Sequence, residues 1–154
     1  MHFIAYSTGS NSTVLMGDTD TVPEFEPKII PSLQNRSVIS VVLGDYHNVA
    51  LTSTGKVLSW GSYSLGALGL GDPTKLPPGT PGAFNTEEQR EFANRNRRGE
   101  PPSVEAPTEV RFDHGRKTPK DRFCFAIAAA GWHTGALVID LEVGDHCCLQ
   151  IIVV

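Results

Sequence analysis

The chain has 154 residues, 40% of them hydrophobic and 19% charged, with a formal net charge of −4, the composition of a folded globular chain rather than a disordered or fibrous one. The terminal run Leu149 to Val154 is far short of the ~20 apolar residues of a spanning helix, and Met1 to Tyr6 is too short for a signal core, so the expected setting is intracellular, cytoplasmic or nuclear, with no membrane. Ten of the thirteen Lys and Arg residues lie between Pro73 and Arg122 together with eight acids, leaving three basic and nine acidic residues elsewhere. That distribution argues against direct nucleic-acid binding, because phosphates need a clustered basic field and only Arg95, Arg97 and Arg98 approach one.

Phe3 to Tyr6 reads as a strand, followed by turns at Ser7 to Asn11 and Gly17-Asp18. Pro23, Pro27 and Pro31 exclude a helix or central strand between Val22 and Pro31, which leaves an edge strand around Lys28 to Ile30. Val38 to Leu43 is almost entirely aliphatic and predicts a strand buried on both faces. Val49 to Leu51 and Val57 to Trp60 flank the turn residues Thr52-Ser53-Thr54-Gly55, the pattern of a β-hairpin in which Gly55 supplies a positive φ.

Residues 73–106 are expected to be a flexible insertion, since Pro73 to Pro107 holds seven of the eleven prolines. Within it, Thr86-Glu87-Glu88-Gln89 fits a capping box and Glu91 pairs with Arg95 at i, i+4, which predicts a short exposed helix from Glu87 to about Asn96. Val110 to Phe112 reads as an edge strand and Phe123 to Ala129 as a buried one. Cys124, Cys147 and Cys148 are odd in number and the last two are adjacent, so no disulfide framework is expected. Asn11-Ser12-Thr13 and Asn35-Arg36-Ser37 match the glycosylation pattern but read as turns in the absence of a secretion signal.

Internal repetition carries the fold. Val41-Val42-Leu43-Gly44-Asp45-Tyr46-His47-Asn48-Val49-Ala50-Leu51 lies over Ile127-Ala128-Ala129-Ala130-Gly131-Trp132-His133-Thr134-Gly135-Ala136-Leu137, with an aliphatic run, an aromatic, a His and a Leu at the same spacing. Gly61-Ser62-Tyr63-Ser64 and Gly69-Leu70-Gly71-Asp72 correspond to Gly9-Ser10-Asn11-Ser12 and Leu15-Met16-Gly17-Asp18. Short strands repeated with glycine-rich turns suit a radial β architecture.

Gly44-Asp45-Tyr46-His47, Ala50-Leu51-Thr52, Gly55-Lys56-Val57, Ser59-Trp60-Gly61 and Gly66-Ala67-Leu68-Gly69-Leu70-Gly71-Asp72 resemble the repeat of the regulator of chromosome condensation family. The resemblance implies an all-β fold: a seven-bladed propeller with four-stranded blades, of which residues 1–142 would supply about two as a partial propeller. Ala130 stands where the repeat has Gly, and the repeat departs after Asp140-Leu141-Glu142, where a Gly turn and a strand ending in Trp-Gly are expected; residues 143–154 therefore read as an atypical tail and the chain as a fragment of marginal stability. The repeat positions Gly44, His47, Leu51, Gly55, Trp60, Gly61, Gly69, Gly71, His133 and Leu137 read as structural.

No catalytic, cofactor or metal site is expected. Gly66 to Gly71 lacks both the dinucleotide fingerprint and the phosphate loop, and His146-Cys147-Cys148 lacks a paired Cys-x-x-Cys. His47 and His133 recur after a turn without a base-orienting partner, which favours packing with a ring hydrogen bond to the turn backbone. Trp132, in a turn, and Arg95, Arg97 and Arg98, in the insertion, are the candidate partner contacts. The expected function is a non-enzymatic protein-interaction module: the chain resembles fungal F-box proteins with such repeats, which present substrates to a cullin-based ubiquitin ligase. The alternative is a fragment of a nucleotide exchange factor for a Ran-type small GTPase.

Overall fold

The computed structural model describes residues 3–6, 13–16, 30–63, 66–112, 121–141 and 149–153. Among them are three antiparallel sheets. The first is a hairpin of β1 (Phe3–Tyr6) and β2 (Thr13–Met16). The second holds β3 (Val38–Leu43), β4 (His47–Thr52), β5 (Val57–Gly61) and β6 (Val104–Glu109) in that order. The third holds β7 (Arg122–Ala130), β8 (His133–Asp140) and β9 (Leu149–Val153).

The sequence repeat is a repeat of register. Val41 opposes Ala50 in β3–β4, and Ile127 opposes Ala136 in β7–β8. Even the irregularity recurs. Val38 pairs with Thr52 and Ser40 with Leu51, so Ile39 is the extra residue of a bulge; Cys124 pairs with Val138 and Ala126 with Leu137, so Phe125 is the extra residue of another. The bulges turn both side chains outward, Ile39 56% and Phe125 45% exposed.

Those bulges correct the expected burial of both aliphatic strands. β3 is half-buried apart from exposed Ile39, and in β7 Cys124 is buried while Phe125, Ala128 and Ala130 are exposed. Each strand is the outer one of its sheet. The central strands carry the core instead: Val49, Ala50 and Leu51 of β4 and Val57, Leu58 and Trp60 of β5 pack with Leu33, Leu68, Val104 and, from the third sheet, Cys124, Ala136 and Val138. Full burial of a Leu such as Leu58 contributes roughly 1.5–3 kcal/mol.

The edge strand expected at Val110 to Phe112 lies earlier, at Val104–Glu109. It includes Pro107, which an edge strand tolerates because only one side of it needs a ladder. Val110 extends the pairing through its amide to the Val57 carbonyl at 2.9 Å. Leu149–Val153, read as a tail outside the repeat, is a strand: Ala136 opposes Ile152 as Ala50 opposes Leu58, so β9 takes the place in its sheet that β5 takes in the second. Thr13–Met16 pairs with β1, whereas Gly69-Leu70, the proposed counterpart of Leu15-Met16, is not strand. Ser7 to Asn11, Gly17-Asp18, Lys28 and Ile29 lie outside the described residues; Ile30 precedes a 3-10 turn, Pro31–Leu33.

The insertion has its own local order. Asp72 accepts hydrogen bonds from the Thr74 amide at 3.0 Å and hydroxyl at 2.7 Å, which hold its carboxyl below the ordinary range. The Gly79 amide donates to the Phe84 carbonyl at 2.8 Å, and Ala83 and Phe84 are buried. Helix α1 is Glu87–Asn96, at the predicted bounds. Its Thr86 hydroxyl accepts from the Gln89 amide at 3.3 Å, and Arg95 pairs with Glu91 at 3.6 Å.

Gly55 in the β4–β5 turn has φ 76, and a Cβ there would lie 2.3 Å from the Phe123 ring of β7. Gly79 has φ 80 with open space around its Cβ position. Gly79→Ala therefore carries the backbone cost alone, about 1–2 kcal/mol, while Gly55→Ala adds a collision and Gly55→Val more. Urea unfolding midpoints should fall in the order Gly79→Ala, Gly55→Ala, Gly55→Val; equal midpoints for the two alanine variants would remove the collision from the account.

Candidate functional site

The second and third sheets are joined at both ends of their strands. At one end the turn Gly44-Asp45-Tyr46 meets the turn Gly131-Trp132, and the Asp45 amide donates to the Gly131 carbonyl at 2.8 Å. At the other, the Cys124 amide donates to the Gly55 carbonyl at 3.0 Å.

Beside the first of these lies a buried polar link. Thr134 Oγ1, at the start of β8, donates its one proton to the Ala67 carbonyl at 2.7 Å. It must then accept from His47 Nε2, 2.8 Å away, which fixes the Nε2–H tautomer. His47 is 1% exposed, and its Nδ1 has no hydrogen-bond partner among the described residues. Burial pushes the imidazole below its ordinary value of 6.5, against a smaller opposing pull from Asp45. The ring bonds the next repeat's Thr134 rather than its own turn backbone.

Gly44 makes room for this ring: a Cβ on it would sit 2.1 Å from His47 Cε1. Ala130 carries that Cβ in the following repeat, and the equivalent His133 is exposed. The substitution noted in the sequence thus coincides with a histidine turned outward.

The same two turns display aromatic surface. Tyr46 is 57% and Trp132 51% exposed, and they hold the same repeat position on hydrogen-bonded turns. Trp132 was named from the sequence as a contact candidate and Tyr46 was not, although the two align in the repeat. Trp60 is buried. The Ser62 amide donates to the Tyr46 carbonyl at 2.9 Å, so the chain leaves β5 toward the insertion beside this rim.

Family comparison agrees with the register. Regulator of chromosome condensation (RCC1) repeat models match residues 5–51 and 38–66. The chain carries regulator of chromosome condensation repeats. SCF-associated factor 1 of Saccharomyces cerevisiae is 39% identical over 107 residues, covering 68% of this chain and 14% of that protein. RCC1 domain-containing protein RUG3, mitochondrial, of Arabidopsis thaliana is 41% identical over 64 residues, 42% of this chain and likewise 14% of the relative. The solved structure of Prp20p from Saccharomyces cerevisiae, a protein that binds Gsp1p and histones, superposes with a TM-score of 0.60 at 18% identity over 90% of this chain and 30% of that one. The sheets are accordingly blades of a partial β-propeller, and the chain spans 14% of the length of each of the two relatives.

Within the RCC1-repeat frame, Leu51 is buried and Leu137 half-buried, and Gly61, Gly69 and Gly71 have positive φ. Arg95, Arg97 and Arg98 lie at the end of α1, away from the two turns in sequence, with Arg97 as the left-handed cap. Arg98 lines a recess of about 480 Å³ together with Phe84, Phe92 and Pro102. Among the described residues no cluster of three His, Cys, Asp or Glu is placed for a metal, and no helix is long and apolar enough to cross a membrane. His146, Cys147 and Cys148 lie outside the described residues.

Two outcomes follow from the buried link. A histidine whose folded pKa lies below its unfolded value binds its proton more readily when unfolded, so the contribution of His47 to stability is constant above about pH 6.5 and declines as the pH falls toward the folded pKa. Urea titrations between pH 8 and 5 should show that decline, and His47→Gln, which keeps a donor for Thr134, should flatten it; an unchanged slope would assign the decline to other groups. Gly44→Ala should expel the ring and lower unfolding stability by about 1–3 kcal/mol, the usual cost of stranding buried hydrogen-bonding groups, read by the same titration at pH 8.

Proposed function

We propose that this chain is part of a non-enzymatic protein-interaction propeller that recognises substrates of a cullin-based ubiquitin ligase, with Tyr46 and Trp132 at its contact surface. The carrying observation is the exposure of both aromatics at one repeat position on turns that bond each other. Blade packing uses Trp60, Leu51 and His47 and leaves these two rings unspent. Large aromatics are frequent anchors of interfaces, since burying one excludes much apolar surface from water at little cost in side-chain entropy. The likeness to SCF-associated factor 1 supports the ligase setting. Arg95, Arg97 and Arg98 offer charged contacts in the insertion, which departs beside Tyr46.

The second reading, exchange of nucleotide on a Ran-type small GTPase, draws on the fold likeness to Prp20p. The two readings separate in one set of assays on the full-length protein. On the ligase reading, Tyr46→Ala with Trp132→Ala lowers ubiquitination of a bound substrate at least tenfold, as loss of ~1.4 kcal/mol or more of hot-spot contact requires, while release of labelled GDP from the GTPase is not accelerated. Accelerated GDP release that the double variant abolishes would instead establish exchange.

A further inference from the structure

At the end of the strands opposite the aromatic rim, the segment Asn35-Arg36-Ser37 lies against the β4–β5 turn, joined by the Ser53 amide donating to the Ser37 carbonyl at 2.9 Å. The two segments enclose a recess of about 180 Å³ lined by Asn35, Arg36, Ser37, Thr52, Thr54 and Lys56. None of the six is acidic, and Asn35, Arg36, Ser37 and Lys56 offer side-chain hydrogen-bond donors. The placement is unexpected on charge grounds: outside residues 73–122 the chain has three basic residues against nine acids, and two of the three, Arg36 and Lys56, line this recess.

Its parts are held in a receiving arrangement. Asn35 and Ser37 both have positive φ, 62° and 43°, a conformation that residues with a Cβ adopt at a cost and that is found disproportionately at ligand-binding positions. The Thr52 hydroxyl donates to the Lys56 carbonyl at 3.2 Å and accepts from the Lys56 amide at 3.1 Å, which sets the position of the lysine on the turn. Lys56 Nζ meets Glu109 at 3.2 Å, and with three donors the ammonium can serve this carboxylate and a second anion together. Arg36 has no carboxylate partner among the described residues.

We infer that this recess binds a phosphate monoester, with Arg36 and Lys56 holding the phosphoryl oxygens and the side chains of Asn35 and Ser37 completing the cradle. A phosphate monoester carries about −1.5 to −2 charge at pH 7 and presents three strong acceptor oxygens, which two cations and several neutral donors match better than they match a singly charged carboxylate. The planar guanidinium adds a two-pronged contact to phosphoryl oxygens that an ammonium lacks. The inference is independent of the aromatic rim, from which the recess is separated by the length of β4.

The test is an amide NMR titration of the full chain at fixed ionic strength with three probes: inorganic phosphate, a phosphoserine peptide and the same peptide unphosphorylated, each against sodium chloride. Saturable shifts confined to the amides of residues 35–37 and 52–56 with inorganic phosphate and the phosphopeptide, but not the unphosphorylated peptide, support the site. Tighter binding of the phosphopeptide assigns the ligand to a phosphorylated chain, and equal affinity assigns it to free phosphate. Arg36→Gln and Lys56→Gln, both surface changes, should each weaken binding about tenfold or more, with unchanged shifts elsewhere as the check on folding. Shifts that chloride reproduces, or affinity retained in both variants, would overturn it.

Discussion

The structure depends on a bond that apolar packing cannot supply. The hydrophobic effect drives the faces of two blades together but is nearly indifferent to how they slide. The chain from His47 Nε2–H to Thr134 Oγ1–H to the Ala67 carbonyl is directional and buried, and it links the start of β4, the start of β8 and the loop after β5. Each group in it was desolvated on folding, so a displaced blade would leave buried donors and acceptors unpaired. Two backbone bonds, Asp45 to Gly131 and Cys124 to Gly55, fix the remaining freedom at either end of the strands. Gly44 is a precondition of the arrangement rather than a turn residue alone, because the imidazole lies where its side chain would be.

That dependence explains which parts of the fold were legible in the sequence. A register-bearing bond needs particular residues at fixed spacing, so Gly44, His47 and Gly55 stand out by eye, and the strands they frame were found at or near their true bounds. Burial was harder to read. Ile39 and Phe125 belong to aliphatic and aromatic runs, yet one extra residue in each strand sends them outward, and composition does not announce a bulge. Pro107 was taken to end the insertion, although a strand paired on one side has room for a residue without an amide hydrogen. The last strand escaped because its family signature is missing, while a backbone ladder asks only for an extended chain in reach of β8. Arg36 was read as part of a turn and Lys56 as part of the repeat motif, since their proximity is created by the folding of β4 back along β3.

The insertion also has a defined place in this mechanics. Gly61, the last residue of β5, opposes Val104, the first of β6, so the chain departs and returns on one rung of the ladder. Loop closure grows only logarithmically with length, about 0.6 kcal/mol per doubling, so a long excursion from a single rung burdens the blade little. It leaves from the end of the sheet that carries Tyr46, where the Ser62 amide is bonded to the Tyr46 carbonyl. The other end of the sheet, a strand of six residues or roughly 20 Å away, holds the basic recess. Aromatic rings and the base of an Arg-bearing insertion thus occupy one edge of the blade, and concentrated positive charge the opposite edge. Between them the His47–Thr134 link and the β4 core side chains serve the packing of the blade. The two proposed surfaces therefore lie on opposite edges: one suited to apolar contact with a protein, the other to an anion, with no side chain common to both.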